Sequence, residues 1–355
     1  MNLSFKFVDY GTRLEPEPGA IVLDVGMKTV PGVIDHHHPG AEPECAASLV
    51  VKHPGLVLDH IRPGGKNLNA PLPDPLTFIT HKLPDFDSLA SIFLAMKLLE
   101  TNRVDPSMAK IAAYAKLADS ARLSKQIELS RTPYAVLRAL FSGSKRSEED
   151  INKERIEEGL KFMRFLYAKS EEGQDIVENR KLFAGIDRYE RAARKIEEDD
   201  THYLADLGRG RILRLDLPTL DRTSRKSVDG LAVSNPRSFL LKEWAWRDKD
   251  NSPSGTGFGF LMMSFGSSRF ILGVDPDRGV NLRGLGPLLD QKEREKRNAE
   301  ERAAGPPWYE GDCPFFDFRI VDSPQDGTSL GLKEVLEAVL AHGNGHVLES
   351  IKERS

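Results

Sequence analysis

The sequence predicts an α/β protein: a catalytic domain on a largely parallel sheet, followed by a second, smaller α+β domain. Three observations predict it. Short apolar runs in the first 81 residues stop abruptly at Asp or His. Helical periodicity is interspersed with those runs. After Leu207 the pattern changes to polar–apolar alternation. A chain of 355 residues suits two domains. They are placed at 1–200, including charged connecting helices, and at 201–355.

The expected elements follow in chain order. Ala20-Ile21-Val22-Leu23 runs into Asp24, Gly32-Val33-Ile34 into Asp35, Leu56-Val57-Leu58 into Asp59, and Leu76-Thr77-Phe78-Ile79 towards His81. Continuous apolar runs of this length fit strands buried on both faces. Ala46 to Val51 predicts a short helix. Pro, Gly and Asn between Arg62 and Pro75 predict a loop. Ser88 to Glu100 predicts a helix with Leu89, Ile92, Phe93 and Met96 on one face, capped by Ser88 or Asp87. Met108 to Leu123 predicts another. Ser147 to Asp199 is highly charged, with helical apolar spacing. Arg211 to Leu215 alternates as a strand does, and Phe258 to Asp275 reads as a hairpin around Gly266-Ser267-Ser268. Helices are expected over Leu285 to Ala303 and Leu332 to Leu340.

A net charge of −4 argues against a protein whose main task is coating nucleic acid. It leaves room for a small anionic substrate, because a metal site overrides net charge locally. Two cysteines, Cys45 and Cys313, suggest neither a disulfide framework nor a metal-type pair. No stretch approaches the roughly 20 apolar residues needed to span a bilayer. Met1 to Tyr10 lacks a basic segment followed by an apolar run. A cytoplasmic location with no membrane partner is expected, and the oligomeric state is left open.

Two stretches carry chemistry. In Ile79-Thr80-His81-Lys82-Leu83-Pro84-Asp85-Phe86-Asp87-Ser88, two carboxylates sit in a tight turn between a strand and a helix. Carboxylates this close repel unless a cation lies between them. His81 adds nitrogen to a donor set suited to Mn²⁺, Mg²⁺, Fe²⁺ or Zn²⁺. The plainer reading is a capped helix with an incidental His. The other stretch is Val33-Ile34-Asp35-His36-His37-His38-Pro39, downstream of Asp24. Alternate strand positions face opposite sides, so only some of these His residues reach one site.

Asp35-His36-His37, with the upstream strand ending in Asp24, resembles the signature of the DHH phosphoesterase superfamily. His81-Lys82-Leu83-Pro84-Asp85-Phe86-Asp87 is similar to that superfamily's other motif, His-x-x-Pro-Asp-x-Asp, followed by a small-residue helix. The motifs cover roughly the first 125 residues, counted from the sequence. Their order is reversed relative to the family, which a circular permutation would explain. The resemblance implies two divalent ions, Mn²⁺ by preference with Mg²⁺ as the alternative. It implies a first ion on His81, Asp85 and Asp24, and a second on Asp87, Asp24, His36 and a further Asp, with Asp24 bridging. Asp119 is the candidate for that further Asp; a helix-surface role is its other reading. The resemblance places His37 beside a substrate phosphate as donor or general acid. It makes Asp35 the carboxylate that orients a ligand His. The resemblance assigns no role to His38, and Asp59-His60 lacks the second His.

Many members of the superfamily carry a C-terminal domain with a glycine-rich segment ending in His. His342-Gly343-Asn344-Gly345-His346 is similar to it, which would make Gly343, Gly345 and His346 substrate contacts. A helix C-cap at Gly343 is the alternative. Arg269 and Arg283 are candidate anion contacts. Trp308-Tyr309 could stack a base or pack in a core. The expected function is a two-metal phosphoesterase or phosphodiesterase acting on nucleotides, short oligonucleotides or cyclic dinucleotides. The expected partner is thus a small phosphorylated substrate or short nucleic acid. The alternatives are an exopolyphosphatase or pyrophosphatase, or a regulatory binding protein with a vestigial metal site.

Overall fold

The computed structural model describes residues 2–62, 72–143, 147–297 and 307–348. Two compact units are present: Met1–Ala193 with Cys313–Phe315, and Arg194–Asp312 with Phe316–Ser355. The architecture is mixed α/β with two sheets, one largely parallel.

The first unit contains strands β1 (Leu3–Val8), β2 (Ala20–Leu23), β3 (Thr29–Val30) and β4 (Val33–Ile34), then helices α1 (Ala46–Lys52) and α2 (Gly55–Ile61). Strand β5 (Leu76–His81) follows, with helices α3 (Phe86–Thr101), α4 (Pro106–Asp119), α5 (Pro133–Phe141) and α6 (Glu148–Glu171). Helix α7 (Asp187–Arg209) contains the residues at which the two units divide. The sheet order is β1-β5-β2-β4-β3. All pairings are parallel except that of β3 with β4. Every residue of β2 is buried, as its unbroken apolar run predicts.

Two local expectations are corrected. Leu56 to Leu58 belongs to helix α2, not to a strand. Pro54 sits at its N-cap, and Val57 and Ile61 are buried one helical turn apart. A run of three apolar residues fits either period. Helix α3 is capped by Asp85, whose carboxylate accepts from Ser88 N at 3.2 Å, rather than by Asp87 or Ser88. Strand β1 was not expected, although Leu3, Phe5 and Phe7 alternate with Ser4, Lys6 and Val8. Most of the expected Arg62–Pro75 loop, residues 63–71, lies outside the described residues.

The second unit contains β6 (Arg211–Pro218), β7 (Arg225–Ser234), α8 (Leu241–Arg247), β8 (Phe260–Phe265), β9 (Arg269–Val274) and α9 (Leu285–Lys296). It ends with β10 (Ile320–Asp322), α10 (Leu332–His342) and β11 (His346–Val347). Its six-stranded sheet runs β10-β9-β8-β7-β6-β11, antiparallel except for β7 with β8. The expected hairpin is β8–β9, closed at Phe265 opposite Arg269. Leu215, Phe260, Met262 and Leu272 form a core with Leu289 and Val339. Trp308 is buried in that core, 3% exposed, so it packs and is not a base platform. The expected end of α9, residues 298–303, lies outside the described residues. Among the described residues, no helix is long and apolar enough to cross a membrane.

Candidate metal centre

Strands β5, β2 and β4 are neighbours in the first sheet, and each delivers a candidate ligand at its C-terminal end. His81 is the last residue of β5, Asp24 follows β2, and Asp35-His36-His37 follows β4. Ligand sites form at this edge of parallel sheets. Asp24 leaves its strand with φ of 62°, a conformation Asp tolerates better than most residues. Helix α3 adds Asp85 and Asp87 from its N-terminus, and α4 adds Asp119 as its last residue.

Three sets of side chains bring ligand atoms within 4.8 Å of one another: Asp24–His81–Asp85, His36–Asp87–Asp119, and Asp24–Asp35–His36–His37. In the first, His81 Nε2 lies 3.2 Å from Asp24 Oδ2 and 3.9 Å from Asp85 Oδ1. In the second, His36 Nε2 lies 3.2 Å from Asp119 Oδ2. Two ligands each about 2.1 Å from one ion at ordinary coordination angles are about 3.0–3.4 Å apart. The shorter separations match that span. Asp24 faces the Nδ1 edge of His36 at 3.5 Å, while Asp119 faces Nε2. The bridging Asp24 expected from the resemblance is therefore seen as a member of the first set adjoining the second.

No family model, curated protein or solved structure matches the chain.

The chemistry of the donors fits a cation. Burial, with Asp87 and Asp85 close by, pushes the Asp24 carboxyl well above its usual range. Burial and Asp119 push Asp87 up to about 6. Crowded carboxylates shift this way when no positive charge separates them. Asp24 Oδ1 is buried and lacks a hydrogen-bond partner among the described residues. Asp119 ends a helix, where the macrodipole disfavours an anion and a cation would offset that. Burial, with the His37 charge, pushes His36 down to about 3, and burial lowers His81. Neutral imidazole is the ligand form.

His37 is different. Burial opposes its charge, but Asp35, by its charge and hydrogen bond, raises it to about 10 with help from Asp24 and Asp119. His37 Nδ1 lies 2.7 Å from Asp35 Oδ1, and Met27 N donates to Asp35 Oδ2 at 2.6 Å. Asp35 therefore orients His37. His38 meets Thr29 Oγ1 at 3.2 Å, and His60 meets the carbonyls of Glu17 and Ala20 at 3.0 and 2.9 Å. His60 also fills the space beside Gly32 (φ of 89°), where a Cβ would lie 2.6 Å from the ring.

Four features escaped the sequence reading. Ser88 Oγ donates to Asp24 Oδ2 at 2.7 Å and lies 2.5 Å from His81 Nε2, so it ties two members of the first set together. Tyr10, 47% exposed, stacks on His81 with centroids 3.9 Å apart. Phe315 meets His36 edge-on at 4.7 Å. Both oxygens of Asp87 accept from the first turn of α1, from Ala46 N at 2.8 Å and Ala47 N at 3.0 Å. Ser88 and Asp87 both lie inside the His81–Ser88 motif, whereas Tyr10, Phe315, Ala46 and Ala47 lie outside either motif.

Of the substrate contacts expected in the second unit, Gly343 and Gly345 have structural roles there. Gly343 caps α10, and a Cβ on Gly345 would lie 2.4 Å from Leu215 Cδ2 and 2.5 Å from Arg214 O. These glycines let the chain lie against β6. His346 is exposed in β11, and Arg269 is exposed at the first position of β9. The Arg283 guanidinium lies over the Phe318 ring, 3.4 Å from its centroid.

Proposed function

We propose that the protein is a two-metal phosphoesterase or phosphodiesterase acting on nucleotides, short oligonucleotides or cyclic dinucleotides. The observation that carries this reading is the adjacency of Asp24–His81–Asp85 and His36–Asp87–Asp119, with Asp24 and His36 3.5 Å apart. The donors are carboxylate oxygens and neutral imidazoles, which suit Mn²⁺ and also accept Mg²⁺. Divalent ions, if held by these residues, would supply a nucleophile at neutral pH and would neutralise charge developing at phosphorus.

The remaining roles fall to side chains. Asp35 engages His37 Nδ1 and favours the protonated ring, so Nε2 would hold the transferable proton. His37 would hydrogen-bond a phosphate oxygen and protonate the leaving oxygen. Asp35 fixes the tilt of that ring. Phe315 and the His37 ring flank His36, which limits water around it. The Tyr10 ring offers a stacking surface for a base, which favours nucleotide-containing esters over polyphosphate.

Hydrolysis of bis-p-nitrophenyl phosphate with Mn²⁺ tests the reading, with Asp85→Asn as the variant. Asn keeps an acceptor for the α3 cap but loses the charge. The expected result is Mn²⁺-dependent turnover that falls by more than the roughly 10–100-fold typical of changes outside the ligand shell. Turnover indifferent to both Mn²⁺ and Asp85 overturns the reading. No turnover and no bound metal would leave the vestigial binding protein as the better account.

A further inference from the structure

Helix α6 grips the turn that joins two ligands of the first set. The turn is Lys82-Leu83-Pro84, between His81 and Asp85. Leu83 has φ of 55°, a left-handed conformation that residues with a Cβ avoid. Leu83 is also 37% exposed, so burial does not hold it there. The backbone contacts from α6 do. Asn152 is 2% exposed, and its Oδ1 accepts from Leu83 N at 2.6 Å. Arg155, one helical turn further on, donates from Nη1 to Leu83 O at 2.7 Å and to Pro84 O at 3.4 Å.

The rest of the turn is held at its other end. Lys82 N donates to Val8 O at 2.8 Å, and His81 Nδ1 lies 2.7 Å from Lys82 O. The His81 ring and the Asp85 carboxylate are thus the two ends of a segment whose middle is fixed by α6. The second set has its own supports. Asp87 is held by α1, and His36 and Asp119 come from β4 and α4. None of the α6 contacts to the turn reaches Asp87, His36 or Asp119.

We infer that Asn152 and Arg155 are positioning residues that set the ion affinity of the Asp24–His81–Asp85 set and leave that of His36–Asp87–Asp119 unchanged. The inference rests on the metal-site reading above. Losing the acceptor at Asn152 removes the partner of the Leu83 N–H and lets the strained residue relax. Asp85 would then move relative to His81, while the second set keeps its geometry. Changes outside the ligand shell typically weaken metal binding by about 10–100-fold.

The test is Mn²⁺ titration of the full chain by calorimetry, with paramagnetic resonance to count ions and detect spin coupling between them. Wild type, Asn152→Leu, Asn152→Asp and Arg155→Met are compared, each with a thermal unfolding curve. Wild type is expected to bind two coupled ions. Asn152→Leu and Arg155→Met are expected to bind one ion with unchanged affinity and the other about 10–100-fold more weakly, with loss of the coupled signal. Asn152→Asp keeps an oxygen acceptor and is expected to retain both. Equal weakening of both ions in step with lowered thermal stability means α6 is only structural, and the inference fails. It also fails if neither ion weakens. If wild type binds no Mn²⁺, the metal-site reading itself falls and takes the inference with it. Should Asn152→Leu not fold, Arg155→Met decides, because its partly exposed side chain leaves no buried cavity.

Discussion

His36 and His37 are adjacent in sequence yet carry opposite protonation, down to about 3 for one and up to about 10 for the other. Burial and the neighbouring His37 charge lower His36, while the Asp35 carboxylate, 2.7 Å from His37 Nδ1, raises His37 against its own burial. His37→Gln is expected to lower phosphodiester turnover by about 10²–10⁴-fold. Mn²⁺ affinity should stay as in wild type, and calorimetry beside kinetics checks both. At Tyr10 the expectation concerns substrate choice. Tyr10→Ala should raise KM for a dinucleotide by roughly tenfold, in line with one lost base–aromatic stack, and leave tripolyphosphate unaffected. Tyr10→Phe should behave as wild type. In the second unit, burial, with Arg225 nearby, lowers His342 to about 4. The unfolded chain binds that proton at higher pH, near 6.5. The contribution to stability is therefore complete above about 6.5 and is lost as pH falls towards 4. Unfolding curves across that window should fall more steeply for wild type than for His342→Gln.

At the scale of elements, glycines set how closely two pairs can approach. Gly159 of α6 faces Leu89 of α3, and a Cβ there would lie 2.5 Å from Leu89 Cδ1. Leu89 is fully buried, so it has little room to give. Gly159→Ala is expected to destabilise the protein by about 1–3 kcal/mol through overpacking. Because α6 also grips the Lys82–Pro84 turn, the same variant should weaken Mn²⁺ binding. Gly345→Ala provides the contrast, since its Cβ would meet Leu215 and the Arg214 carbonyl. Thermal unfolding should show a loss of about the same size, with Mn²⁺ affinity intact.

Across the whole molecule, the parts legible in the sequence were those with a local cause. Strand β2 is marked by an unbroken apolar run, β5 by a run of apolar and β-branched residues ending at His81, and α3 by its periodic apolar face. The Asp and His at strand ends marked the candidate ligands because burying such groups demands a partner. Strand β1 was missed because Ser4 and Lys6 break its run, and α2 because three apolar residues fit two periods. Ser88, Tyr10, Asn152 and Phe315 were missed because distant chain segments bring them in. Ser88 meets Asp24 across 64 positions, and Asn152 meets Leu83 across 69. If ions bind the folded chain alone, Mn²⁺ at a hundred times its dissociation constant should add about 2.7 kcal/mol per site. Chelation should lower the unfolding temperature accordingly. The first set joins residues 57 positions apart, Asp24 and His81, and their strands pair in parallel. Such pairing closes slowly, because a long loop must be ordered first. Metal uptake during refolding would therefore serve as a clock for sheet closure, starting only when β2 has found β5.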